Sequence, residues 1–107
     1  MWFVFPQLAG LGRSGMARFY AIASLDEATA YVDHPVLGPR LRDAASAALA
    51  TPHDLTAVDI FGEIDAVKLR SSVTLFGRAA PNEPVFAEVL ERFFGGTPDR
   101  ATLALLA

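Results

Sequence analysis

A cluster of cationic and hydroxyl side chains in the middle of the sequence has the composition of an anion-binding site. Lys68 and Arg70 are followed closely by Ser71, Ser72 and Thr74 in the segment KLRSSVTLF. Ammonium and guanidinium groups bind phosphate or carboxylate through charge-assisted hydrogen bonds, and hydroxyl groups help to orient the bound anion. The cluster therefore predicts a site for an anionic small molecule.

The same side chains also have a purely structural explanation. Arg70 lies seven residues after Glu63 and Lys68 lies three residues after Asp65, so both cations are spaced for ion pairs along one helix. Hydroxyl groups within a helix also bond back to backbone carbonyls. The two explanations predict different surroundings for Lys68 and Arg70, either a shared cavity or local ion pairs.

Three glycines near the start match the spacing of a dinucleotide-binding loop, but their context does not. Gly10, Gly12 and Gly15 would have to follow a buried strand directly, and Pro6 and Gln7 interrupt the candidate strand. The residues after Gly15 have helical periodicity, so the βαβ unit is missing. We expect a glycine-bearing turn here and no bound cofactor.

Metal binding and catalysis have little support in the sequence. His34 and His53 are the only histidines, neither has a carboxylate at metal-ligand spacing, and there is no cysteine. We therefore expect no metal site. No serine stands in a Gly-x-Ser-x-Gly motif, and His34 is the only candidate for acid-base chemistry. Catalytic residues stay unknown, and whether the protein is an enzyme stays open.

The elements that must position these residues are helical throughout. In NEPVFAEVLERFFGG the apolar residues form one continuous helical face, and Gly95 with Gly96 ends the helix. Glu88 and Arg92 are spaced for an ion pair on its outer face. No segment alternates with period two, so the sequence predicts an all-α fold, a compact single domain of about five to seven short helices over residues 1–107.

Capping residues predict where several helices begin. Ser24 and Glu27 have the spacing of a capping box. Thr51 and Thr97 each stand directly before a proline, which predicts an N-cap followed by proline in the first helical position.

One helix, near residues 62–79, is predicted to be central. Ile64 and Val67 fall on one of its sides, and Val73 and Phe76 fall nearly opposite. A helix that is apolar on two sides is normally packed between neighbours. Cations in its middle need partners, because desolvating an unpaired charge costs several kcal/mol. This helix is where we expect a functional site.

The overall composition narrows the class of protein. A net charge of -3 argues against a nucleic-acid partner, which requires a basic face. Hydrophobic residues make up 52% of the chain, yet no apolar run is long enough to span a membrane. We expect a soluble cytoplasmic protein with no membrane partner.

Several motifs together resemble a bacterial family known as domain of unknown function 1810, whose members are sometimes labelled calpastatin. The matching segments are MWFVFPQLAGLGRS, HPVLGPRL, KLRSSVTLF and VLERFFGG. The resemblance covers almost the whole chain and implies a mainly α-helical domain with no established activity. It also implies that polar residues of the separate motifs share one pocket. The ligand-binding residues so predicted are Lys68, Arg70, Ser72, Thr74, Arg40, Arg13, Gln7, His34 and Trp2.

The apolar start of the chain leads to a second hypothesis. Trp2, Phe3 and Phe5 would normally be covered, and family members look as if they carry a further helical segment before this motif. The resemblance therefore implies that Met1 is an internal position of the family pattern. Two functions stay open: binding of an anionic small molecule, or a non-catalytic interaction module that forms a homo-oligomer through its apolar N-terminus.

Overall fold

The structure is a computed structural model that describes residues 5–7 and 21–106, and these residues form six α-helices. In chain order they are α1 (Leu25–Asp33), α2 (Leu37–Leu49), α3 (Ala57–Phe61), α4 (Glu63–Ala79), α5 (Pro84–Phe94) and α6 (Arg100–Leu106). The predicted all-α fold is therefore confirmed.

Helix α4 is the central element, as predicted. It packs against α1, α3, α5 and α6, and its residues Leu69, Val73 and Phe76 are almost fully buried. The expectation that its other apolar side is also covered is wrong in the first two turns. Ile64 and Val67 are 74% and 62% exposed, because no described element packs over that side of the helix start.

Aromatic contacts join α4 to its neighbours. The ring of Phe76 lies 5.4 Å from the ring of Tyr31 in α1 and 5.8 Å from the ring of Phe86 in α5, measured between centroids. Phe5, from the apolar start of the chain, is 3% exposed and belongs to the same core. This aromatic side chain therefore needs no partner protein to cover it. Trp2 and Phe3 lie outside the described residues.

Helix starts follow the capping rules where the capping group is local. The Ser24 hydroxyl accepts a hydrogen bond from the Glu27 N–H at 3.2 Å, so the predicted start of α1 is confirmed. Helix α3 begins with a second capping box, formed by Thr56 and Asp59. Hydrogen bonds from Thr56 lower the pKa of the Asp59 carboxyl, because they favour its charged form.

Two predicted starts are wrong. Thr51 does not begin a helix: its hydroxyl donates to the Ala48 carbonyl at 2.7 Å and closes the end of α2. Thr97 does not cap α6 either, because the Asp99 carboxylate takes that position and accepts the Thr102 N–H at 2.9 Å. The Thr51 hydroxyl bonds to a carbonyl at the end of α2 instead of starting a new helix. At the start of α6, the Asp99 carboxylate is better placed than Thr97 to accept a backbone N–H.

A glycine allows α1 and α2 to meet at a tight corner. A Cβ atom at Gly38 would overlap the carbonyl oxygen of Val32, which lies near the end of α1. Arg42 strengthens the same corner, since its Nη2 donates to that carbonyl at 3.3 Å and its Nε donates to Glu83 before α5 at 2.7 Å. The corner therefore joins α1, α2 and the start of α5.

Candidate functional site

A buried hydrogen bond joins the N-terminal segment to the central helix. The side-chain Nε2 of Gln7 donates to the hydroxyl of Ser71 at 2.7 Å, and both residues are buried. The Ser71 hydroxyl in turn donates to the Lys68 carbonyl at 3.0 Å. The Ile22 N–H also donates to the Gln7 carbonyl at 2.7 Å, which fixes the backbone of this segment. Gln7 is thus held to α4 by its side chain and to Ile22 by its backbone carbonyl.

The predicted cluster divides between two sides of α4. Residues three or four positions apart share a helix face, so Lys68, Ser71 and Ser72 lie together. Arg70 and Thr74 also lie together, about 200° of rotation from Lys68 and Ser72 respectively, whereas Ser71 is three positions before Thr74 and lies between the two pairs. We call the first set the Gln7 side of α4, since Ser71 contacts Gln7 there.

The Gln7 side contains a hydroxyl group that the protein does not satisfy. Ser72 is fully buried, and its Oγ has no hydrogen-bond partner in residues 5–7 and 21–106. A buried hydroxyl without a partner costs stability, because it gives up its hydrogen bonds to water. Its neighbour Ser71 is also buried but fully engaged. Ser72 therefore has a buried hydroxyl whose hydrogen bonds no described residue makes.

A positive charge from α2 acts on a tyrosine of α1. Tyr31 of α1 packs on Phe76, which is one turn after Ser72 on α4. Burial raises the pKa of the Tyr31 hydroxyl, and the positive charge of Arg40 acts in the opposite direction. Arg40 itself is exposed on α2. Tyr31 is thus a partly buried hydroxyl of α1 on which the charge of Arg40 acts.

Arg70 and Thr74 hold the segment that connects α5 to α6. Arg70 Nε donates to the Thr97 carbonyl at 3.0 Å, and its guanidinium lies 5.6 Å from the centroid of the Phe94 ring. The Thr74 hydroxyl accepts the Asp99 N–H at 2.9 Å, just before α6. The ion pair between Arg70 and Glu63 that the spacing suggested does not form in the described part of the chain. These contacts join α4 to the connection between α5 and α6.

His34 caps a helix. Its Nδ1 accepts hydrogen bonds from the backbone N–H groups of Val36 and Leu37, each at 3.1 Å, at the start of α2. The imidazole must carry its proton on Nε2 to do this, since an Nδ1 that accepts two bonds has no proton. Only Nε2 is left for the acid-base chemistry that the sequence suggested.

Seven of the nine predicted ligand-binding residues are described, and the structure does not bring all seven together. Trp2 and Arg13 lie outside the described residues. Lys68 and Ser72 lie on the side of α4 that Gln7 contacts through Ser71, while the hydrogen bonds of Arg70, Thr74 and His34 are to backbone groups elsewhere. Sequence reasoning did not identify Tyr31, because no motif marks an aromatic residue that meets α4 only after folding.

The described residues contain neither a metal-binding cluster nor a membrane-spanning helix. Among the described residues, no group of three or more histidine, aspartate or glutamate side chains is arranged to hold a metal ion. Within the same ranges, every helix is too short or too polar to cross a bilayer.

These features define a small all-helical domain with a buried polar contact on its central helix. The family model described as "Protein of unknown function (DUF1810)" matches residues 1–106, and the chain belongs to this family. The chain is also similar to the crystal structure of the conserved hypothetical protein Rv1873 from Mycobacterium tuberculosis. That similarity has a TM-score of 0.94 and 47% sequence identity, and covers 98% of this chain and 74% of the other. No curated protein matches the sequence.

Adjacent serines on α4 give a matched test of the polar contacts. Ser71→Ala is expected to lower the free energy of unfolding by about 1–2 kcal/mol, because it leaves the Gln7 amide as a buried donor without its acceptor. Ser72→Ala is expected to raise it by about 1 kcal/mol, because it removes an unsatisfied hydroxyl and improves helix propensity. Urea denaturation of both variants measures the difference, and equal losses would contradict it.

Proposed function

We propose that the domain binds a small molecule carrying a phosphate or carboxylate group on the Gln7 side of α4. The observation that most directly supports this is the 2.7 Å hydrogen bond from Gln7 to Ser71. It joins polar residues of two segments that are 64 positions apart in the sequence. Burial of both groups fixes the geometry of this polar contact more firmly than solvent exposure would.

The positive charges proposed to lie around this contact favour an anionic ligand. Lys68 is partly buried on the same side of α4, and the positive charge of the exposed Arg40 on α2 acts on the Tyr31 hydroxyl. Cations from two elements can bind the oxygens of one anion from different directions, with Arg giving a bidentate fork and Lys a point charge.

Arg70 and Thr74 have a supporting role in this proposal. Their hydrogen bonds to Thr97 and Asp99 fix the opposite side of α4 to the α5–α6 connection. A helix held on its far side presents its Gln7 side in one orientation. We therefore expect substitutions at these two positions to act mainly on stability and only indirectly on ligand binding.

A thermal-shift screen tests the proposal. The probes are inorganic phosphate, nucleoside phosphates, sugar phosphates and small carboxylates, each with the intact chain. A ligand at about 100 times its Kd stabilises by about 2.7 kcal/mol, which for a domain of this size raises the Tm by about 10 °C or more. Lys68→Gln and Arg40→Gln are expected to remove this shift.

The control is Arg100→Gln, which removes one positive charge from an exposed position in the first turn of α6. This variant should keep the full shift, because the change in net charge is the same but the cation is not part of the proposed site. Titration calorimetry on the same variants reports binding directly. The proposal would be overturned if no anion of these classes bound, or if all three variants lost affinity equally.

The alternative of a self-assembling module has weaker support. It was based on the apolar N-terminal segment, and Phe5 of that segment is buried in the core of its own chain. The other residues on which it depended, Trp2 and Phe3, lie outside the described residues. A buried side chain cannot contribute to a partner interface, so we propose ligand binding as the function.

A further inference from the structure

A groove between α2 and α5 lies away from the proposed anion site and has the opposite charge. It has a volume of about 700 Å³ and is bordered by Leu49, His53, Pro84, Ala87, Glu88, Glu91 and Arg92. Along α5, Pro84, Ala87, Glu88 and Glu91 are spaced at i, i+3, i+4 and i+7, so they form one face over two turns. All four are exposed.

Arg92, the arginine at the groove, donates its hydrogen bonds to the end of α2 and the turn after it. Arg92 does not form the predicted outer ion pair with Glu88. Its Nη1 donates to the carbonyls of Ala48 and Leu49 at 2.9 and 2.8 Å, and its Nη2 donates to the Pro52 carbonyl at 2.7 Å. These are the last carbonyls of α2 and the turn after it, which a helix leaves without intrahelical donors. The hydrogen bonds of the guanidinium are therefore directed to α2 and the following turn, while its positive charge stays beside the groove.

The carboxylates on the groove edge consequently have no cationic partner of their own. In the described part of the chain, no basic side chain forms an ion pair with Glu88 or Glu91. These residues are three positions apart on α5, so two like charges are neighbours on one edge. Beside them lie the apolar surfaces of Leu49, Pro84 and Ala87. The two carboxylates outnumber the single guanidinium of Arg92 in the lining, so a net negative charge lies beside the apolar floor. This combination is complementary to an apolar group that carries a cation.

We propose that this groove binds a basic amphipathic helix of a partner protein. The face of α5 is about 10 Å long, which matches two turns of a second helix. A partner helix with leucine-like residues toward Leu49 and Ala87 and lysine or arginine one turn away would satisfy both the floor and the edge. Helix-in-groove binding of this kind uses apolar anchors at i, i+3 or i+4 and gains specificity from flanking charges.

A pair of synthetic peptides tests this proposal with the intact protein. One is an amphipathic helix of about 14 residues built from leucine and lysine, and the other has glutamate in place of every lysine. Fluorescence anisotropy is expected to show saturable binding of the lysine peptide only, weakening as salt is raised. The double variant Glu88→Gln/Glu91→Gln should weaken binding by about tenfold.

The control has the same change in net charge at a distance from the groove. Asp26→Asn/Glu63→Gln neutralises two exposed carboxylates in the first turns of α1 and α4. It should bind the lysine peptide nearly as tightly as the unchanged protein. Ala87→Arg, which fills the groove and supplies its own cation, should abolish binding. Equal weakening by both double variants, equal binding of the glutamate peptide, or no binding of the lysine peptide would each overturn the proposal.

Discussion

Replacing Gly38 with alanine is expected to lower the free energy of unfolding by about 3 kcal/mol. The new Cβ would overlap the Val32 carbonyl oxygen and lie 3.0 Å from Nη1 of Arg42. Neither backbone can move away easily, because α1 and α2 are joined there by a short turn that His34 caps. Helix propensity alone would predict that replacing a helical glycine with alanine raises the free energy of unfolding. The loss expected at Gly38 therefore has the opposite sign.

The matched control is Gly77→Ala, also within a helix but with room for a methyl group. The nearest atom to a Cβ at Gly77 is the Phe86 Cβ at 4.0 Å, an ordinary contact distance. This variant should gain about 0.5–1 kcal/mol from helix propensity and reduced freedom of the unfolded chain. Thermal and urea denaturation of the two variants should therefore give changes of opposite sign. A gain in stability for Gly38→Ala would show that the corner is not closely packed.

Replacing Arg92 with methionine is expected to lower the free energy of unfolding by about 2–4 kcal/mol. The change removes hydrogen bonds to the carbonyls of Ala48, Leu49 and Pro52, and methionine keeps much of the apolar stem. It also removes the guanidinium that lies 4.3 Å from the centroid of the Phe93 ring. The carbonyls at the end of α2 would lose their charged donors.

Arg92→Lys and Arg100→Met are the comparisons for this prediction. A lysine ammonium cannot reproduce the planar guanidinium that serves three carbonyls, so Arg92→Lys should lose most of the same stability. Arg100 is exposed, and its replacement should change stability by less than about 0.5 kcal/mol. Chemical denaturation at one pH and salt concentration measures all three. If Arg92→Lys were as stable as the unchanged protein, charge alone would account for the role of Arg92.

Periodicity predicted the parts of the fold that depend on neighbouring residues. The apolar face of NEPVFAEVLERFFGG correctly predicted α5. Gly95 and Gly96, which both have positive φ, end this helix as expected. The capping pair Ser24 and Glu27 gave the start of α1. The starts of α3 and α6 were misplaced because Thr51 and Thr97 match a capping pattern that other side chains fulfil in the folded chain.

Long-range contacts limited the prediction of the site. Lys68, Arg70, Ser72 and Thr74 are close in sequence, and only the helical rotation separates them into two sides that meet different segments. The spacing of Glu88 and Arg92 suggested a local ion pair, whereas the arginine reaches carbonyls 43 and 44 residues earlier. No local pattern contains such partners, because they become neighbours only when α2 and α5 pack together.

The contact between Arg92 and the end of α2 also has a consequence for folding order. An ordinary helix end frays by itself, since water replaces the missing donors of its last carbonyls. Here those donors come from α5, so the last turn of α2 reaches its final stability only after the later helix has been synthesised and docked. Loosening at this end is therefore coupled to separation of the two helices, and early intermediates with α2 alone should have an unfinished terminus.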